Sequence, residues 1–128
     1  MAKFLTAEWL ADLTTAINAH SGFKAAIANV DLTLQFVVPD APEGTESHYY
    51  MAVADGTAMA APGDAAEPDV TITNNYETAT AVSKGETNTQ MAFMTGKIKV
   101  SGNMAKLMMN QSMLGQFAAA TAGMKVEY

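Results

Sequence analysis

Phe93-Met94-Thr95-Gly96-Lys97-Ile98-Lys99-Val100-Ser101-Gly102-Asn103-Met104-Ala105-Lys106-Leu107 sets three elements end to end. Gly96 stops a helix that carries Met91, Phe93 and Met94. Lys97-Ile98-Lys99-Val100 then alternates, which is the period of a short half-buried strand. Asn103 is placed to cap a final helix carrying Met104, Leu107, Met108, Met109, Met113, Leu114 and Phe117.

Working outward, Thr87 and Gln90 make a capping-box spacing ahead of Met91, and Asn74 with Glu77 makes another ahead of a helix ending at Lys84-Gly85. Before that helix, Asp69–Thr73 reads as a strand with Val70 and Ile72 on one face. Further upstream, Leu32, Leu34, Phe36 and Val38 alternate with Thr33, Gln35 and Val37. Ser47–Ala54 returns, Asp55-Gly56 carries type I′ turn chemistry, and Thr57–Ala61 pairs back. At the start, Thr6 caps a helix with Trp9, Leu10, Leu13, Ala16 and Ile17 at helical spacing, Gly22 stops it, and a second short piece follows near Lys24–Ala28. The order is α+β with a mainly antiparallel sheet, in one domain over 1–128.

Several function classes drop out on composition. A net charge of −6 with no arginine disfavours nucleic acid. With no cysteine there is no disulfide framework, thiolate metal site or cysteine nucleophile. No apolar run approaches the roughly 20 residues that cross a bilayer, and Glu8 and Asp12 interrupt any signal-peptide core, so the expected residence is cytoplasmic. His20 and His48 have neither HExxH spacing nor a GxSxG partner, and no Walker A or GxGxxG loop occurs. No enzyme, metal or cofactor is expected.

The informative residue is methionine. The chain has ten, and Met91, Met94, Met104, Met108, Met109 and Met113 fall within one short stretch. Methionine is unbranched and polarizable, so it fills irregular space and repacks around variable apolar partners. Met104, Leu107 and Met108 share one helix face, and Met109, Met113 and Phe117 form an adjoining stripe, so the last helix is apolar over more than a core-facing arc. Either the methionines only fill the core, or the second face is covered by a ligand, a partner chain or a membrane surface. Charge is uneven too: from Thr87 to Val126 the only formal charges are Lys97, Lys99, Lys106 and Lys125. These read either as a solvated scatter or as a positive rim, Lys97, Lys99 and Lys106, for anionic headgroups and transient membrane contact.

The pattern Asp69–Thr73, a helix ending at Lys84-Gly85, and then Phe93 to Leu107 resembles the sterol carrier protein 2 family, and the order of elements fits across the chain. The resemblance implies a five-stranded sheet covered by helices on one face, with an apolar tunnel between them for a fatty acid, fatty acyl-CoA, sterol or related lipid. It implies Met91, Phe93 and Met94 on a tunnel-lining helix, Met104, Leu107, Met108, Leu114 and Phe117 on the closing one, and Phe36 and Val38 on the sheet floor. Asn103 stands where the family often has aspartate, and either residue caps a helix. The C-terminal Val126-Glu127-Tyr128 is not a peroxisomal address, which points to a stand-alone microbial member. The alternative is an accessory protein whose methionine face docks on a partner or a second copy; it implies an exposed apolar patch in place of a cavity.

Overall fold

In the computed structural model the chain runs β1 (Ala2–Lys3), α1 (Ala7–Ala19), α2 (Ser21–Ala26), β2 (Leu32–Val37), β3 (His48–Ala54), β4 (Thr57–Pro62) and β5 (Val70–Asn74). It continues through α3 (Tyr76–Ser83), α4 (Thr89–Met94), β6 (Ile98–Gly102), α5 (Met104–Met109), α6 (Gln111–Thr121) and β7 (Val126–Glu127). The structure describes residues 2–84, 86–87, 89–121 and 123–128, without the side chains of Thr89, Gln90, Phe93, Leu114 and Ala118.

Five strands form one sheet in the order β4-β3-β2-β5-β6. The pairing of β2 with β5 is parallel and the other three are antiparallel. The parallel pair follows from the path: after β2 the chain lays the β3–β4 hairpin on one side, then crosses to β2's other side to begin β5. Period-2 alternation gives the sheet an inner face. Phe36 lies opposite Tyr49 and Ile72, Leu34 opposite Met51 and Val70, and Ile72 opposite Val100. Phe4, Leu10, Leu13, Ile17, Phe23 and Ile27 bury against that core. Each such side chain contributes about 1.5–3 kcal/mol by leaving water. On the outer face Gln35 is buried by a loop. Its Nε2 donates to the Tyr49 and Gly63 carbonyls, each at 3.1 Å, while the Ala65 N–H donates to its Oε1 at 2.7 Å.

Several local expectations hold for their stated reasons. The Trp9 N–H donates to Thr6 Oγ1 at 3.2 Å, and the Lys106 N–H to Asn103 Oδ1 at 3.0 Å. Asp55 and Gly56 both have positive φ, 54° and 75°, as a type I′ turn requires. Gly96 (φ 77°) ends α4 with the Lys97 N–H reaching back to the Ala92 carbonyl at 2.9 Å. Gly102 (φ 107°) lets the end of β6 run against β5, because a Cβ there would collide with the Asp69 carbonyl.

Other expectations are corrected. Gly22 does not stop α1; the helix ends at Ala19, and Gly22 lies inside α2 with the Gln116 side chain against it. The cap of α3 is Asn75, whose Oδ1 accepts the Thr78 N–H at 2.8 Å, because Asn74 is still paired in β5. The final helix is two helices. Asn110 closes α5 by bonding backward, its N–H to the Leu107 carbonyl at 3.1 Å and its Nδ2 to the Lys106 carbonyl at 2.7 Å. The helix holding Met91 begins at Thr89, and the expected Thr87–Gln90 capping box rests on the Gln90 side chain, which lies outside the described residues. The tail is ordered into β7, which pairs in parallel with β1, and the Tyr128 ring sits 5.2 Å from that of Phe4.

Candidate functional site

The break at Asn110 divides the methionine stripe. Leu107 on α5 and Met113 on α6 turn into the core, at 9% and 1% exposure. Met108 and Met109 turn outward at 58% and 83%, and so do Met91 and Met94 of α4 at 55% and 75%. Met104 and Phe117 are half-buried, Phe117 with its ring 6.3 Å from that of Phe23. Met91 and Met94 of α4 and Met108 and Met109 of α5 therefore stand outward on two six-residue helices. The expected positions Phe93 and Leu114 have side chains outside the described residues.

On the sheet side, Phe36 is half-buried and stacked on Tyr49, centroids 4.9 Å apart and planes 7° apart. Val38 lies one residue past β2 and is wholly buried as core. Tyr49 also meets Trp9 edge-on at 5.7 Å, and Trp9 meets Phe4 at 4.8 Å, so a row of aromatic rings joins α1 to the inner sheet face. Burial raises the Tyr49 phenol above its ordinary value. The row was missed in the sequence because its members lie far apart in the chain; the inward phase of Tyr49 on β3 was the available signal.

The three rim lysines are not brought together. Lys106 is drawn to Asp69, Nζ to Oδ1 3.3 Å, where the other carboxylate oxygen accepts the Thr33 N–H. Lys97 and Lys99 sit at the opposite end of β6, a strand about 16 Å long at its ordinary rise. There, with Pro39, Asp40, Thr73, Asn74, Asn75 and Gly96, they line a depression of about 250 Å³. A second depression of about 230 Å³ lies between Ala28–Asp31 and Ala54-Asp55. Neither is an apolar tunnel between sheet and helices.

Both histidines have local structural partners. His20 Nδ1 accepts the Phe23 N–H at 3.0 Å and so caps α2. His48 Nδ1 lies 2.7 Å from Asp64 Oδ1, both side chains being exposed. Among the described residues no three His, Asp or Glu side chains converge as a metal site would need, and no helix is long and apolar enough to cross a membrane.

Residues 13–115 match the model of the SCP-2 sterol transfer family. The chain belongs to that family. Within it, the chain is 36% identical over 78 residues to sterol carrier protein 2 of Rattus norvegicus, covering 61% of this chain. It spans 14% of that relative's length. A crystal structure of sterol carrier protein 2 superposes with a TM-score of 0.77 at 17% identity, covering 96% of this chain and all of that one. The sterol carrier protein domain 2 of Helicoverpa armigera gives 0.62 at 26% identity, covering 94% and 91%. The SCP-2 match begins inside α1 and ends inside α6, so it contains the whole sheet and the methionine face, and leaves out the β1–β7 pair.

Proposed function

We propose that this domain is a cytoplasmic lipid carrier that binds an apolar small molecule and passes it on unchanged. The ligand is a fatty acid, fatty acyl-CoA, sterol or related lipid, held between the sheet and the helices α4 to α6. The observation that carries the reading is the methionine face: four long, flexible apolar side chains stand in water on two six-residue helices of an SCP-2 domain. Apolar area taken from water contributes about 25 cal/mol per Å² without directional groups, and methionine adapts its shape to what it meets. The short helices part from the sheet, the ligand enters against Phe36, Leu107, Met113 and Phe117, and Met91, Met94, Met108 and Met109 fold over it. Phe93 and Leu114 complete the lining by their place in the pattern. Delivery proceeds by brief contact with an anionic membrane, because the segment from 87 to 126 carries four lysines and no acid.

The same exposure favours a second reading, in which the methionine face docks on another protein or a second copy. Displacement of a fluorescent fatty acid separates the two. Wild-type protein is expected to bind the probe at equal stoichiometry, and Met108→Asp to weaken binding at least about tenfold, the equivalent of 1.4 kcal/mol. Met108 is exposed, so the variant is expected to stay folded, with stability changed by no more than about 1 kcal/mol. No probe binding by folded wild type contradicts the carrier reading.

A further inference from the structure

With no cysteine in the chain, every sulfur it carries is a methionine thioether. The ten are unequally placed: Met51 and Met113 are buried, whereas Met91, Met94, Met108 and Met109 stand in water on α4 and α5. Exposure of the sulfur is the first requirement for its oxidation. Met108 also has a hydrogen-bond donor at its sulfur. Gln111 Nε2, at the start of α6, lies 3.5 Å from Met108 Sδ across the break at Asn110. A thioether is a weak acceptor, whereas a sulfoxide oxygen is polar. The contact therefore strengthens as oxygen is added to sulfur, which favours the transition state over the starting thioether.

From this we infer that Met108 is a site of oxidation by hydrogen peroxide, with Gln111 positioning the incoming oxygen, and that the sulfoxide switches lipid binding off. The sulfur lone pair attacks one peroxide oxygen, and the S–O bond forms as the O–O bond breaks. The departing hydroxide takes the proton of the attacked oxygen and leaves as water. Sulfur gives up two electrons and the peroxide accepts them. Gln111 is exposed, so its hold on the sulfoxide keeps the Met108 side chain turned toward water and not folded over a ligand. The switch rests on the carrier reading; the oxidation site does not.

The test treats the folded chain with limiting hydrogen peroxide, locates the added oxygen by peptide mass spectrometry, and measures fatty-acid binding on the same samples. Cleavage after Lys106 and Lys125 puts Met108, Met109 and buried Met113 in one peptide, whose fragments rank them. Met108 is expected to oxidise at least as fast as the more exposed Met109 and well ahead of Met113. Gln111→Ala is expected to slow Met108 about threefold, the worth of one modest hydrogen bond, and to leave Met109 unchanged. Gln111 is exposed and lies outside the proposed lining, so this variant is expected to fold and, before treatment, to bind as wild type does. At equal peroxide, wild type is expected to lose fatty-acid affinity about tenfold and Gln111→Ala to keep more of it. Met108→Leu, compared with its own untreated affinity, is expected to lose less than wild type. Oxidation of Met108 no faster than that of Met113, slower than that of Met109, or at one rate with and without Gln111 overturns the site. Full affinity in chains carrying Met108 sulfoxide, or an equal loss in Met108→Leu, overturns the switch. No fatty-acid binding by untreated, folded wild type overturns the carrier reading and the switch together, while the ranking of the methionines still decides the oxidation site.

Discussion

The two edges of the sheet are finished in opposite ways. Along β4, helix α1 covers the edge with a fitted pair of side chains. Asn18 donates from Nδ2 to the Ala58 carbonyl at 2.7 Å and accepts the Ala58 N–H at 3.1 Å. One helical turn earlier, Thr14 Oγ1 accepts the Ala60 N–H at 2.9 Å. Four helical residues rise about 6 Å and two strand residues about 6.7 Å, so the spacings match. Alanine at both strand positions lets the helix come close. Along β6 no comparable pair is described; lysine alternates with the inward Ile98 and Val100, and α4 beside it exposes Met91 and Met94. Lysine on an edge strand discourages pairing with other chains. One edge is closed by directional bonds that fix geometry. The other is left with charge and adaptable apolar surface, which suits a site that opens.

If that contrast is right, damage at the two edges should read out differently. Asn18→Ala carries the largest expected effect on stability, a loss of about 1–3 kcal/mol, because it strands the N–H and carbonyl of buried Ala58. Chemical denaturation measures it, and lipid affinity of the remaining folded protein should be unchanged. Met108→Asp reverses the pattern, with at least tenfold weaker lipid binding at little cost in stability. A variant at either edge that moved both quantities together would erase the distinction. The smallest effect expected is on transfer to anionic vesicles, which should slow severalfold as the Debye length contracts from about 10 Å at 0.1 M salt to about 3 Å at 1 M. Salt-insensitive transfer would return the lysines to the role of edge protection alone.

How far the sequence revealed this arrangement depended on the range of the interactions. Strand alternation, the Asp55-Gly56 turn and the caps Thr6 and Asn103 are decided by neighbours, and they were legible. The family pattern through Gly96 and Gly102 was legible for the same reason, and the structure supplies its cause: Gly96 terminates α4, and Gly102 gives way to the Asp69 carbonyl. The division of the last helix at Asn110 was not legible, since asparagine carries only a modest helix penalty and the backward bonds decide the matter. That one break leaves Met108 and Met109 outward while Met113 turns into the core, which a single continuous stripe does not show. The lysines divide in a similar way. Lys97, Lys99 and Lys106 are close in sequence, but β6 separates them and Asp69, from another strand end, claims Lys106.

The central claim is that the methionine face exists to hold a lipid. Native mass spectrometry of the freshly purified chain, followed by organic extraction, tests it most directly. The account predicts a species heavier than the apo chain by one lipid, lost on extraction and restored by adding a fatty acid. A bare mass before and after incubation with fatty acid, from protein shown to be folded, would contradict it and assign the exposed methionines to a protein partner.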